Sequence, residues 1–313
     1  MNSDGDGAAE MAVGFVGLGR MGWPMAANVA RADFPLRVYN RTRERAESLA
    51  ASEPRVIVCD SPADVAATSE VVITMLADGS AVDEVYLGER GLLIGARPGT
   101  VLMDMSTIGP DHVAVLADKV EGMGLTLVDA PVSGSVATAE AAGLLVMAGG
   151  EASAIDRVRP VLNAIGATVL HVGPSGAGAT MKLVVNTVVY GLNQSVAEAL
   201  VFAERAGLDR RLTYDVFVHS AIAAPFVHYR RDSFERPGEV PVAFRVELAS
   251  KDLRLILDLA HRVGADLRQG ATNLAILEET EDAGLRDADV SAVARYLRGN
   301  NRAPPTQVPE RGG

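Results

Sequence analysis

Lys182 and Asn186 stand four residues apart in GPSGAGATMKLVVNTVVYGLNQSVAEALVFAERAG, the stretch from Gly173 to Gly207. Four residues is just over one helical turn, so the two side chains stack on one face. Asn193 roughly continues that stripe. Their neighbours are Leu, Val, Ala and Phe, so the ammonium group must be held against an apolar surface. There it either finds a partner or releases its proton more readily, and both states suit proton transfer to and from a small molecule. A lysine alone in such a helix more often snorkels to water along its apolar stem. The chemical reading therefore depends on other groups in the chain.

Gly17, Gly19 and Gly22 have GxGxxG spacing, with Leu18, Arg20 and Met21 between them. Three glycines are weak evidence alone. These follow an apolar, strand-like run from Ala12 to Leu18 and open a helical pattern in which Pro24 comes early, where proline is tolerated. That context is the one a dinucleotide-binding turn requires: backbone close to a pyrophosphate, with helix N–H groups behind it. About twenty residues on, the second strand ends at Asn40-Arg41-Thr42, where an enzyme using NAD would place an acidic residue against the ribose. With no carboxylate to repel it and a guanidinium within reach, a 2′-phosphate is favoured, so the expected cofactor is NADP(H) rather than NAD(H). A solvated, arginine-rich helix start is the competing explanation for the same residues.

Asp129 to Gly134, DAPVSG, ends another strand-like run. The Ser133 hydroxyl and the Gly134 N–H, free of any Cβ, form a pair suited to gripping a carboxylate, although a plain turn has the same composition. Asp104 to Thr107, DMST, ends a strand in the same way.

The elements that must position these groups alternate. Apolar runs at 36–39, 56–59, 71–75, 101–105 and 125–128 are separated by helical patterns at 62–68, 80–87 and 110–122. Buried, non-alternating strands in repeated β-α-β order predict a parallel sheet covered on both faces. Runs at 144–148 and 168–172 could add two strands around a helix at 151–165. After Gly178 the pattern is helical: a helix about 40 Å long stopped by Gly207, then 211–220, a Pro/Arg/Phe-rich connection over 224–241, and helices at 244–264, 267–283 and 290–297. The fold class is thus α/β: a Rossmann-type doubly wound parallel sheet over 11–177, then an all-α domain over 178–299 built on the long helix. Residues 1–10 and 300–313 read as a disordered leader and tail.

The 313 residues exceed what one core usually serves. A net charge of −11 with no dense basic block argues against nucleic-acid binding. The single cysteine, Cys59, excludes an intrachain disulfide and points to the cytoplasm; the leader has neither a basic n-region nor an apolar h-region. The five histidines show no metal-ligand spacing, so no metal is expected. The long helix is broken by Lys182, Asn186, Asn193, Gln194 and Glu198, which favours burial in protein over lipid.

Taken together and in order, GLGRMGWPMAANV, DMST, DAPVSGS, GPSGAGATMKLVVN and KDLRLILDLA resemble the β-hydroxyacid dehydrogenase family, which includes 3-hydroxyisobutyrate dehydrogenases and semialdehyde and glyoxylate reductases. The resemblance spans Val13 to about Leu297. It implies an NAD(P)-dependent dehydrogenase or reductase acting on a small, carboxylate-bearing substrate. It further implies that Lys182 is the catalytic lysine with Asn186 beside it, and that Ser133 and Gly134 bind the substrate carboxylate. Met75 and Leu76 would lie beside the nicotinamide ribose, and Thr107 and Lys251 at the cofactor, with Asp252 helping to hold Lys251. Ser135 replaces the second glycine of many members, with little effect expected. The connection over 224–241 matches no member's pattern and leaves the substrate open. An imine reductase shares the scaffold but usually carries Asp or Tyr at the Lys182 position and lacks DAPVSG; a non-catalytic NADP-binding sensor would not need Lys182, Asn186 and Ser133 together. The apolar length of the long helix predicts a homodimer or homotetramer.

Overall fold

The computed structural model describes residues 11–299, so the leader and tail read as disordered from sequence lie outside the described residues. The chain forms two compact units, one ending at Asn186 and the other beginning at Thr187.

The first unit is built on β1 (Val13–Val16), β2 (Leu36–Tyr39), β3 (Val56–Val58), β4 (Val71–Thr74), β5 (Val101–Asp104) and β6 (Thr126–Asp129). They lie in the order β3-β2-β1-β4-β5-β6, each parallel to its neighbour. The chain winds outward from β1 to β3 and then returns to start β4 on the other side of β1. This reversal opens a crevice at the C-terminal ends of β1 and β4.

Every residue of β1, β4 and β5 is buried, because alternate side chains enter cores on opposite faces of the sheet. Val13, Phe15, Val71, Ile73, Val101 and Met103 join one core, which the helices Gly22–Arg31 and Ala152–Ile165 cover. Val16, Val72 and Leu102 join the other, filled by Val65, Val82, Tyr86, Leu92, Val113 and Leu116 from the helices between 62 and 121. A one-residue slip in any of these strands would exchange the two sets.

The parallel run ends at β6. A short β7 (Val132–Ser133) and β8 (Leu145–Gly149) follow, and β8 runs antiparallel to both β6 and β7. β9 (Thr168–Gly173) pairs parallel to β8. The two later apolar runs are therefore strands of the same sheet, reached by a tight reversal through DAPVSG.

The helix Ala177–Arg205 belongs to the first unit as far as Asn186 and to the second from Thr187. It ends at Gly207, whose φ is +84°, with the Leu208 N–H bonded to the Ala203 carbonyl and the Gly207 N–H to that of Glu204. This pairing closes the orphan carbonyls of the last turn, and the left-handed backbone favours glycine.

In the second unit the helices Arg210–His219, Val246–Val263, Arg268–Thr280 and Ala292–Gly299 occupy the regions with helical periodicity. Val246–Val263 buries Val246, Ala249, Leu253, Ile256 and Ala260 along one stripe and stops at Gly264. The 224–241 segment is not the plain connection expected: Pro225–Glu235 is a helix. Pro225 sits at its first position, where the missing N–H costs nothing, so the proline starts the helix instead of blocking it.

Candidate active site

The GxGxxG loop follows β1 at the crevice. Gly17 has φ +98°, and a Cβ there would lie 2.4 Å from the Met75 carbonyl oxygen. A Cβ on Gly22 would lie 1.9 Å from the Gly17 oxygen, so the first and third glycines allow the loop to fold onto itself and onto the end of β4. Gly19 differs: nothing lies within 4 Å of where its Cβ would be. That open space faces a helix start, Gly22–Arg31, with no side-chain cap and no acidic residue in its first turn. Backbone that can be approached closely, beside uncapped N–H groups, is a phosphate cradle. Leu18 is buried beneath it, Met21 is half-buried and Arg20 is exposed.

Asn40 holds this loop from the end of β2. Its side-chain oxygen accepts the Leu18 N–H at 2.8 Å, and its amide donates to the Thr42 carbonyl at 2.8 Å. Arg43 is taken up by Asp60 at 2.5 Å and Glu47 at 2.8 Å. Arg41 and Thr42 are exposed, and Arg41 makes no ion pair among the described residues.

Met75 and Leu76 leave β4 half-buried, Met75 packed on one core and Leu76 on the other. They are anchored by a buried network that the sequence did not reveal. The Asp104 carboxylate, at the end of β5, accepts the Thr74 hydroxyl at 2.6 Å and the Ser106 hydroxyl at 2.8 Å. Ser106 in turn accepts the Leu76 N–H at 2.9 Å, and Tyr86 lies 3.1 Å from Thr74. Burial pushes the Asp104 carboxyl above the usual aspartate range, and the two hydroxyl bonds only partly offset this. Half-buried Thr107 follows directly. The polar residues of DMST thus split: Asp104 and Ser106 brace the neighbouring loop, and Thr107 stands at the sheet edge.

On the far side, Pro131, Val132 and half-buried Ser133 lead into Gly134, which is exposed with φ +147°. A Cβ on Gly134 would meet Leu144 Cδ2 at 2.6 Å, so the turn admits only glycine comfortably. The Ser133 hydroxyl makes no hydrogen bond among the described residues. Ser135 has a larger part than its replacement of a glycine suggested. It caps the helix Val136–Glu140, accepting the Thr138 N–H at 3.1 Å while its own N–H donates to the Thr138 hydroxyl at 3.2 Å.

Lys182 is half-buried and Asn186 is buried, both in the first three turns of the helix Ala177–Arg205, and each makes polar interactions. The start of that helix is bound to buried Asp129, which accepts the Gly176 and Ala179 N–H groups at 2.8 Å each. The first unit therefore places residues 17–22, 40–42, 75–76 and 107 at the C-terminal ends of the neighbouring strands β1, β2, β4 and β5, and Ser133–Gly134 at the end of β7, which β8 separates from β6. Lys251 lies in the second unit, its ammonium 3.0 Å from Asp252, which also accepts the Tyr190 hydroxyl at 2.5 Å.

Residues 12–173 match the NAD binding domain of 6-phosphogluconate dehydrogenase, and residues 176–297 match the NAD-binding domain of NADP-dependent 3-hydroxyisobutyrate dehydrogenase. The chain is 35% identical to the 3-hydroxyisobutyrate dehydrogenase of Pseudomonas aeruginosa, over 92% of this chain and 99% of that protein. It is 33% identical to the 3-sulfolactaldehyde reductase of Escherichia coli, over 92% and 96% respectively. Among solved structures it resembles Mycobacterium tuberculosis 3-hydroxyisobutyrate dehydrogenase with L-serine, with a TM-score of 0.78, 34% identity and coverage of 92% and 99%. With both units matched and a nucleotide cradle at the sheet's switch point, the chain belongs to the β-hydroxyacid dehydrogenase family and is an NAD(P)-dependent oxidoreductase acting on CH–OH groups.

Proposed function

We propose that this enzyme is an NADP(H)-dependent oxidoreductase that interconverts a small 3-hydroxy acid and its aldehyde or keto acid, with Lys182 as general acid and base. The observation that carries this reading is the pairing of the 129–134 strand end with the helix bearing Lys182 and Asn186, on the same sheet whose crevice carries the glycine cradle. The relatives named above support a small anionic substrate, and their diversity, a hydroxyisobutyrate enzyme beside a sulfolactaldehyde enzyme, leaves the anionic tail open.

The nicotinamide, when bound, supplies or takes the hydride. Ser133 Oγ and the Gly134 N–H hold the anionic tail, which fixes the distance of the reacting carbon from the tail. In the reductive direction Lys182 Nζ donates its proton to the carbonyl oxygen and offsets the charge that builds there. In the oxidative direction neutral Lys182 takes the hydroxyl proton. Asn186, one turn on, orients the ammonium or the substrate. Lys251, in the second unit, is held by Asp252.

Preference for NADP(H) is supported at the end of β2. Asn40 brings no negative charge and is engaged by the loop, Arg43 is engaged by Asp60 and Glu47, and Arg41 is left exposed to meet a 2′-phosphate. The homodimer or homotetramer belongs to the same proposal; exposed Phe202, Leu212 and Val216 are what support it.

Two experiments test this reading. Fluorescence titration should give a Kd for NADPH at least tenfold below that for NADH, about 1.4 kcal/mol; tighter binding of NADH would overturn the preference. Loss of NADPH absorbance across a panel of short aldehyde acids, sulfolactaldehyde included, run beside oxidation of 3-hydroxyisobutyrate and serine, should identify the tail and chain length. Cofactor binding with no turnover anywhere in the panel would overturn the reaction.

The cradle makes a separate prediction. Gly19→Ala meets no atom, so stability should stay within about 0.5 kcal/mol while nucleotide affinity falls at least tenfold. Gly22→Ala should cost about 1–3 kcal/mol of stability as well, because its Cβ collides with the Gly17 carbonyl. Thermal melts and nucleotide titration of the two variants separate ligand space from packing space.

A further inference from the structure

We infer that Asp129 is a positioning residue of the reaction proposed above: one carboxylate fixes the start of the Lys182 helix to the strand end that leads into the Ser133–Gly134 turn. The inference rests on that reading of Lys182 and extends it to a residue that touches neither substrate nor cofactor.

The helix Ala177–Arg205 cannot cap itself. The preceding residue, Gly176, has φ +85° and no side chain, so the first N–H groups need acceptors from elsewhere. Asp129 supplies them from the end of β6. Oδ1 accepts from Gly176 and Oδ2 from Ala179, both at 2.8 Å. The surroundings are shaped for this approach. A Cβ on Gly149 would lie 2.6 Å from Oδ1, and one on Gly178 would lie 2.9 Å from Oδ2 and 2.4 Å from the Asp129 carbonyl oxygen. Only 1% of Asp129 is exposed, so no water competes for these bonds.

The consequence is geometric. Lys182 follows Ala179 by three residues, about 4.5 Å along the helix axis, so a slide or tilt at the clamp carries the ammonium with it. Ser133 follows Asp129 by four residues on the other arm. The clamp thus ties the proton donor's helix to the strand end from which the chain runs on to the substrate anchor, itself held by the pairing of β7 with β8. Displacements of about 1 Å at such a clamp are large enough to slow a reaction a hundredfold.

Asp129→Asn keeps the shape and one acceptor oxygen but turns an NH2 toward one of the N–H groups. It should lower kcat at least tenfold while NADPH binds at full stoichiometry with a Kd within twofold of wild type. The primary isotope effect from NADPH deuterated at C4 should rise, because a misplaced proton donor slows the chemical step. A carboxylate with only a structural role would lower the melting temperature and leave kcat per bound cofactor and the isotope effect unchanged, and that result would overturn the inference. Should the Asn variant not fold, Asp129→Ser, which leaves room for water to reach the same N–H groups, is measured in the same way. If neither binds NADPH stoichiometrically, Asp129 serves only the fold and the inference fails. Lys182→Ala is run in parallel: normal turnover there would sink the underlying reading, whereas an inactive Lys182→Ala beside a fully active Asp129→Asn would sink this inference alone.

Discussion

Lys182→Ala is expected to lower kcat roughly a hundred- to ten-thousand-fold, the span of a positioned general acid or base, while the Kd for NADPH changes little. The asymmetry follows from placement: the nucleotide cradle lies after β1, and Lys182 lies on the helix fastened to β6. In the proposed mechanism the ammonium supplies the proton and the charge that meets the developing alkoxide, both mainly in the transition state, so its removal should lower kcat and kcat/KM together. Steady-state kinetics with the best substrate of the panel, beside a nucleotide titration, measure both quantities. Turnover within threefold of wild type would remove Lys182 from the mechanism. Lys182→Arg is the sharper companion: it keeps a positive charge but gives up and takes back the proton far less readily, so it should lose activity in both directions.

Asp289→Ala should be the most destabilising single change in the second unit, at about 3–5 kcal/mol, with a fall in melting temperature on the order of 10 °C. Arg230 is 3% exposed, and Asp289 is its anion. The same carboxylate accepts the N–H groups of Ala243 at 2.9 Å, Phe244 at 3.2 Å and Ser291 at 3.0 Å, and the Ser291 hydroxyl at 2.8 Å. Truncation therefore strands a buried guanidinium and several backbone donors together. Burial pushes the Asp289 carboxyl up, but Arg230 and the bonds from Ser291 outweigh it and hold it below the usual range. A pKa lower in the folded chain than in the unfolded one stabilises the fold above the unfolded value, about 3.9, and that stabilisation is lost as pH falls through the folded value. Asp289→Asn keeps an acceptor but no charge; it should lose less than the Ala variant at pH 7 and lack this part of the acid-induced loss. Denaturant unfolding at pH 7 and near pH 3 measures both, and equal stability of wild type and Asp289→Ala at pH 7 would refute the role.

Much of the scaffold was legible because it obeys short-range rules. Buried apolar runs marked the six parallel strands, glycine spacing marked the cradle, and Gly207 and Gly264 marked helix ends. The segment over 224–241 misled because proline frequency hides position: Pro225 starts a helix that would have been broken had the residue stood in its middle. Ser135 looked like a conservative change because its capping partner, Thr138, matters only once a helix begins between them.

The groups around the site were legible as types but not as roles. Asn40 was read as choosing the cofactor by lacking charge, yet its side chain also holds the Leu18 N–H, 22 residues away. Asp104 and Thr74, 30 residues apart, bond because β4 and β5 are neighbours. Asp129 meets helix N–H groups 47 and 50 residues later. Helix and strand periods, turn chemistry and glycine geometry act over a few residues, so the amino-acid order alone carries the α/β class, the nucleotide cradle and the candidacy of Lys182. Which carboxylate braces which loop depends on which strands become neighbours and what the burial leaves unsatisfied, and those are settled only when distant segments pack.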